Sequence, residues 1–123
     1  MLQSKVFPVP PYTPLLIVII GEADGNMLYA FVKRRYHISV PRFKKVGADW
    51  AGSSFRHRGE FVFIWLRRFR NKNDFELLAH EAFHATRRIM KMAGIGRLTR
   101  DNEEAWAYLI GYIVDRVIKW GRN

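Results

Sequence analysis

The sequence contains no cysteine, so neither a disulfide nor a thiolate metal ligand is available, and any bound metal must be held by His, Asp or Glu. It also lacks a long apolar run. A stretch such as Leu15 to Ile20 falls far short of the ~20 residues that span a bilayer, and the prolines before it (Pro8, Pro10, Pro11, Pro14) suit neither a signal peptide nor a helix. A soluble, unexported, cytoplasmic protein with no membrane partner is expected. Acidic residues are scarce, 11 against 21 Lys and Arg, which leaves a formal charge of +10. Such an excess attracts polyanions, whether nucleic acid, acidic protein or an anionic surface. The basic residues are scattered through Lys33-Arg34-Arg35, Lys44-Lys45, Arg67-Arg68-Phe69-Arg70 and Arg87-Arg88, a pattern that reads as a solvated surface. No module that reads bases is visible, so nucleic-acid binding should be weak and indifferent to sequence.

What is abundant is apolar and aromatic: 49% of the 123 residues are hydrophobic, with four Trp, nine Phe and five Tyr. That is enough to bury one core, and the length suits one domain over 1–123. Residues 1–14 read as an extended proline-rich segment leading into a buried strand, Leu15 to Ile20, which ends at Gly21. The apolar positions between about Asn26 and Tyr36 favour a short helix, although alternation from Leu28 also permits a strand. Trp50 to Arg58 and Glu60 to Leu66 flank Gly59 as a β-hairpin. Asn73 or Asp74 then caps a helix that buries Leu78, Ala82, Ala85, Ile89 and Met92 and stops at Gly94. Asp101 caps a last helix that runs to about Lys119 and is buried by Trp106, Leu109, Ile110, Ile113 and Val117.

The first of these two long helices carries His80-Glu81-Ala82-Phe83-His84. Residues four apart lie roughly 40° apart around a helix and one turn along it, so both imidazoles can converge on one ion. They should face a cleft, with Leu78, Ala82 and Ile89 on the opposite side. Glu81, about 100° around from His80, is placed beside such an ion as a base and not as a ligand on the same stripe. It would take a proton from water that the metal activates and return it to the leaving amine of a peptide. Catalytic zinc generally has three protein ligands, and Glu104 in the first turn of the next helix is the leading third, with Glu103 the competitor. Tyr108, Tyr112 and His57 are candidates for stabilising the transition state or supporting the ligands, although each has an ordinary structural reading. His37 has no comparable setting. Gly111 either lets helices approach or is merely tolerated. Asp115 lies about 16 Å along the helix from Glu104, too far to share the metal, and should pair with a basic neighbour.

This arrangement resembles the gluzincin metallopeptidases, in which HExxH is followed on a later helix by a glutamate with a small residue after it. Glu104 stands twenty positions after His84, as in thermolysin-like enzymes. Glu103-Glu104-Ala105-Trp106-Ala107 echoes the Asn-Glu-Gly-Phe-Ala style of the related aminopeptidases, which favours Glu104 over Glu103. Leu77 through Tyr112 also resembles small bacteriophage zincin-like proteins with HE-x-x-H-A and E-A-x-A-Y elements. The resemblance covers about a third of the chain. It implies an α+β, minimal zincin-like fold: a small, mainly antiparallel sheet packed on the HExxH helix, with a C-terminal helix carrying the third ligand. It further implies one Zn²⁺ on His80, His84 and Glu104, a peptide or protein substrate, and a host cytoplasmic location if the chain is phage-encoded. One position departs from the pattern: where thermolysin-like enzymes carry an aspartate four residues after the ligand glutamate, this chain has Tyr108. The competing expectation is a zincin-derived module without catalysis, a phage effector whose basic surface engages nucleic acid or an acidic host protein.

Overall fold

The computed structural model describes residues 1–45, the backbone of 52–57, and 61–121. Its centre is two strands, β2 (Tyr12–Ile20) and β4 (Phe61–Leu66), which are apolar almost throughout because both faces of the sheet are covered. Leu16, Val18, Val62, Ile64 and Leu66 point into one core, whereas Ile17, Ile19, Phe63 and Trp65 point into the other. Each of these side chains is at most 1% exposed. At roughly 1.5–3 kcal/mol for a fully buried large side chain, these two strands supply the largest share of the apolar stabilisation.

Two more strands complete the sheet: β1 (Gln3–Val9) and β3 (Gly52–His57), in the order β1-β2-β4-β3. β1 pairs antiparallel with β2, β3 antiparallel with β4, and β2 with β4 in parallel. The fold is α+β with a mixed sheet: two of its three pairings are antiparallel, in keeping with the expectation of a mainly antiparallel sheet, but the central one is parallel. The chain leaves β2, crosses one face of the sheet, makes the outer strand β3 and returns along β4, which brings β4 beside β2 in the same direction. The β3/β4 hairpin is as expected, although its turn at 58–60 lies outside the described residues.

The proline-rich start is also more ordered than an extended lead-in. Residues 3–9 form β1, and a turn with a cis Pro10-Pro11 peptide reverses the chain into β2 at Tyr12 rather than at Leu15. Pro14 is tolerated because the β2–β4 register begins only at Leu15, and the β1–β2 register slips between Pro8 and Val9. The missing N–H therefore falls at an irregularity. Beyond β2, Gly21 takes φ 145°, a conformation open to glycine, and its carbonyl accepts the Trp65 Nε1–H at 2.9 Å.

Helix α1 (Gly25–Tyr36) covers one face of the sheet with Leu28 and Val32. The Asp24 side chain caps it by accepting from the Met27 amide at 2.8 Å, and His37, at φ 58°, closes its other end. A 3₁₀ turn, Pro41–Lys45, follows and buries Phe43 against Phe63. The opposite face carries α2 (Lys72–Met92) and α3 (Glu103–Gly121), which pack on each other and close the core around Leu78, Ala82, Ala85 and Ile89 with Trp106, Leu109, Ile113 and Val117. Met92 and Ile110 are only half-buried; Met90 is the α2 residue that completes the apolar face. No helix among the described residues is long and apolar enough to cross a membrane.

Candidate metal centre

Helix α2 is fixed at both ends before any function is asked of it. Its N-cap is Asn71, not Asn73 or Asp74: the Asn71 side chain accepts from the amides of Asn73 (2.9 Å) and Asp74 (3.4 Å). Asp74 is the third helical residue, and its Oδ2 accepts from the Arg70 and Asn71 amides at 2.7 and 2.9 Å, completing a capping box. A side chain three residues into the helix that reaches back is indistinguishable in sequence from a cap, so the sequence pattern alone sets the start two or three residues late. Burial alone would push the Asp74 carboxyl up, but these two amides and the Arg68 guanidinium outweigh it and hold it below its ordinary value. At the far end Gly94, at φ 81°, allows Ile95 N–H to reach the Met90 carbonyl (2.8 Å) and its own N–H to reach that of Lys91 (3.1 Å).

With the apolar face of α2 held against the sheet, His80 and His84 are turned outward, His80 exposed and His84 half-buried. Their Nε2 atoms are 3.2 Å apart and their rings 4.7 Å apart at 76°. Two nitrogens each 2.0–2.1 Å from one tetrahedral ion are separated by about 3.3–3.4 Å, so the pair already has the spacing of two zinc ligands. Burial, followed by the positive charges of His80, Arg88 and Arg87, lowers the His84 pKa and favours the neutral imidazole a metal requires.

Glu81 is the unusual group. It is 5% exposed, one of three buried polar or charged residues among those described, and accepts no hydrogen bond within them. Burial raises its pKa, with His80 and Arg88 pulling partly in the other direction. A carboxylate held this way is costly unless it has a partner or a proton to carry.

The third ligand is not assembled with the pair. Glu103 and Glu104 are both exposed in the first turn of α3, and no set of three His, Asp or Glu side chains among the described residues gathers around one point. The neighbourhood is nevertheless shared, because Phe83 within the motif lies 6.0 Å from the His84 ring and 6.1 Å from that of Trp106, two residues after Glu104. Helix α3 starts at Glu103, with the Asn102 carbonyl accepting the Trp106 amide, so Asp101 is not its cap.

No known protein family, curated protein or solved structure matches the chain. The remaining candidates are placed by geometry alone. Tyr112 donates its hydroxyl to the Pro8 carbonyl at 3.0 Å, tying α3 to β1. Tyr108, 66% exposed, stacks on Tyr112 with ring centres 6.3 Å apart. His57 ends β3 opposite Phe61, and its side chain lies outside the described residues. Asp115 pairs with Lys119 at 3.2 Å, as its position suggests. A Cβ at Gly111 would meet nothing within 4 Å, so no close helix approach depends on that glycine. The contact between Phe83 and Trp106 is invisible to spacing rules, since it joins two helices through aromatic rings.

Proposed function

We propose that the chain is a zinc-dependent metallopeptidase of minimal zincin-like fold, held at His80 and His84 and completed by Glu104, with Glu103 as the alternative third ligand. The observation that carries this reading is the combination of two imidazole nitrogens at 3.2 Å with a buried carboxylate on the adjacent residue that accepts no hydrogen bond among the described residues. Zinc, when bound, supplies a Lewis acid for the scissile carbonyl and lowers the pKa of a nearby water. His80 and His84 would hold the ion through their Nε2 atoms, which in its absence are within hydrogen-bond distance of each other. Glu81 would receive a proton at its carboxylate and deliver it to the leaving nitrogen, a role helped by the burial that raises its pKa. A purely structural metal would have no use for a carboxylate buried at this cost.

Elemental analysis should find about one zinc per chain. His80→Ala and His84→Ala should abolish the binding, Glu104→Ala should weaken it strongly, and Glu103→Ala should leave it unchanged. The reverse glutamate result would reassign the third ligand. Glu81→Gln should retain fold and zinc but lose nearly all cleavage of a diverse peptide library read by mass spectrometry, with a chelated sample controlling for contaminants. Equal cleavage by both proteins would remove Glu81 from the chemistry. Zinc-replete protein and variant that both fail to cleave would favour the binding-module reading, with which a charge of +10 is consistent.

A further inference from the structure

Beside the histidine pair lies a cleft of about 260 Å³ whose lining, among the described residues, is cationic: Arg42, Arg87, Arg88 and Lys91. Two separate parts of the fold make it. Arg87, Arg88 and Lys91 continue the outward face of α2 past His84. Arg42 is delivered by the 3₁₀ turn, which is pinned because its next residue, Phe43, is fully buried. Nothing in the sequence pattern places Arg42 beside Arg87; the fold does. Arg88 also connects the cleft to the motif, donating from Nη1 to the His84 carbonyl at 3.2 Å.

Like charges gathered in one concavity repel by an amount that grows as water is displaced, so the arrangement favours an anionic occupant. Among the described residues, no carboxylate lies within ion-pair distance of Arg42, Arg87 or Lys91; the ion pairs there involve Arg67, Arg68 and Lys119 instead. Among the described residues that line it, none offers an aromatic ring on which a nucleobase could stack, and the cleft is one concavity, not a track along which successive phosphates would lie. Guanidinium forks match carboxylates two bonds at a time. Along the helix axis, Arg87 and Lys91 stand roughly 4.5 and 10.5 Å beyond His84. An extended peptide advances about 3.3 Å per residue, so a chain presented at the histidines would reach the cleft with its next one to three residues.

We propose that this cleft binds the carboxylate side chains of an acidic peptide, making the substrate of the site a peptide with Asp or Glu within about three residues of the bond to be cut. The substrate assignment rests on the peptidase reading above; binding of the acidic peptide does not.

The test is fluorescence anisotropy with a labelled ten-residue peptide carrying three aspartates, compared with its asparagine counterpart, on the zinc-loaded Glu81→Gln protein at physiological salt. The acidic peptide should bind at least ten-fold more tightly. Arg87→Glu with Lys91→Glu, both exposed positions, should erase that difference, while Arg34→Glu with Arg35→Glu on the opposite face of the sheet should leave most of it. Equal losses from the two double variants would reduce the effect to overall charge and overturn the proposal. So would an oligonucleotide of the same charge that binds more tightly than the peptide through Arg87 and Lys91. Cleavage of the peptide library by the wild type without enrichment of acidic residues would defeat the substrate assignment and leave the peptidase reading standing. Charge-specific binding without any cleavage would do the opposite, sustaining the cleft and removing the peptidase.

Discussion

Thr86 and Trp106, both at most 3% exposed, each bury a polar atom, Oγ1 and Nε1, that has no hydrogen-bond partner among the described residues. An unsatisfied buried hydroxyl costs about 1–3 kcal/mol, and valine has nearly the shape of threonine. Thr86→Val should therefore raise the unfolding free energy by about 1 kcal/mol in denaturant titration without altering zinc content; a loss of stability would mean that the hydroxyl has a partner. Gly111→Ala should be stabilising by about 0.5–1 kcal/mol, since the new methyl group meets open space in a helix interior. Asp74 makes a pH-dependent contribution. Its pKa is lowered on folding, so its contribution is present above its ordinary value of 3.8 and is lost as pH falls toward the folded value. Asp74→Ala should cost about 1 kcal/mol at neutral pH and progressively less in acid, a trend that paired denaturation curves at pH 7 and pH 3 would reveal.

At the level of elements, α1 depends on a close approach that leaves no room for a side chain. A Cβ at Gly25 would run into the carbonyl oxygen of Phe43, backbone against backbone, so Gly25→Ala should destabilise by about 1–3 kcal/mol and loosen the 3₁₀ turn that presents Arg42. A thermal melt checks the first part, and weaker acidic-peptide binding the second. Elements built on one local period were legible in the sequence: the apolar run of β2, the β3/β4 hairpin, and the faces of α2 and α3. The histidine pair was legible for the same reason, because four residues along one helix fix its spacing. What depended on distant partners was not. β1 is hidden by prolines that suit an irregular edge, and the parallel pairing of β2 with β4 is set by the crossover. Arg42 meets α2 only through the fold, and the relation of Glu104 to the pair is a matter of how α3 sits, not of how many residues separate them.

For the whole molecule, 21 basic residues against 11 acidic ones give a long-range field that any polyanion will sense. Nucleic acid should bind weakly at low salt, lose affinity linearly in log–log terms as salt rises, and show no preference among sequences. Filter binding across a salt series is the check, and tight sequence-selective binding at physiological salt would promote the binding module over the peptidase. The central parallel pair has a further consequence, for biosynthesis. Leu15-Leu16-Ile17-Val18-Ile19-Ile20 is uncharged, β-prone and free of proline, the composition of a segment that self-associates when exposed. In the finished sheet it is bonded on both sides. During synthesis β1 precedes it and can shield one edge at once, whereas the partner of Leu15 on the other side is Phe61, 61 − 15 = 46 residues later. At roughly 5–20 residues per second, that edge stays bare for about 2–9 s on the ribosome. The proline-punctuated first strand thus acts as a guard for the nascent chain, and substitutions that unpair it should appear first as lost soluble yield.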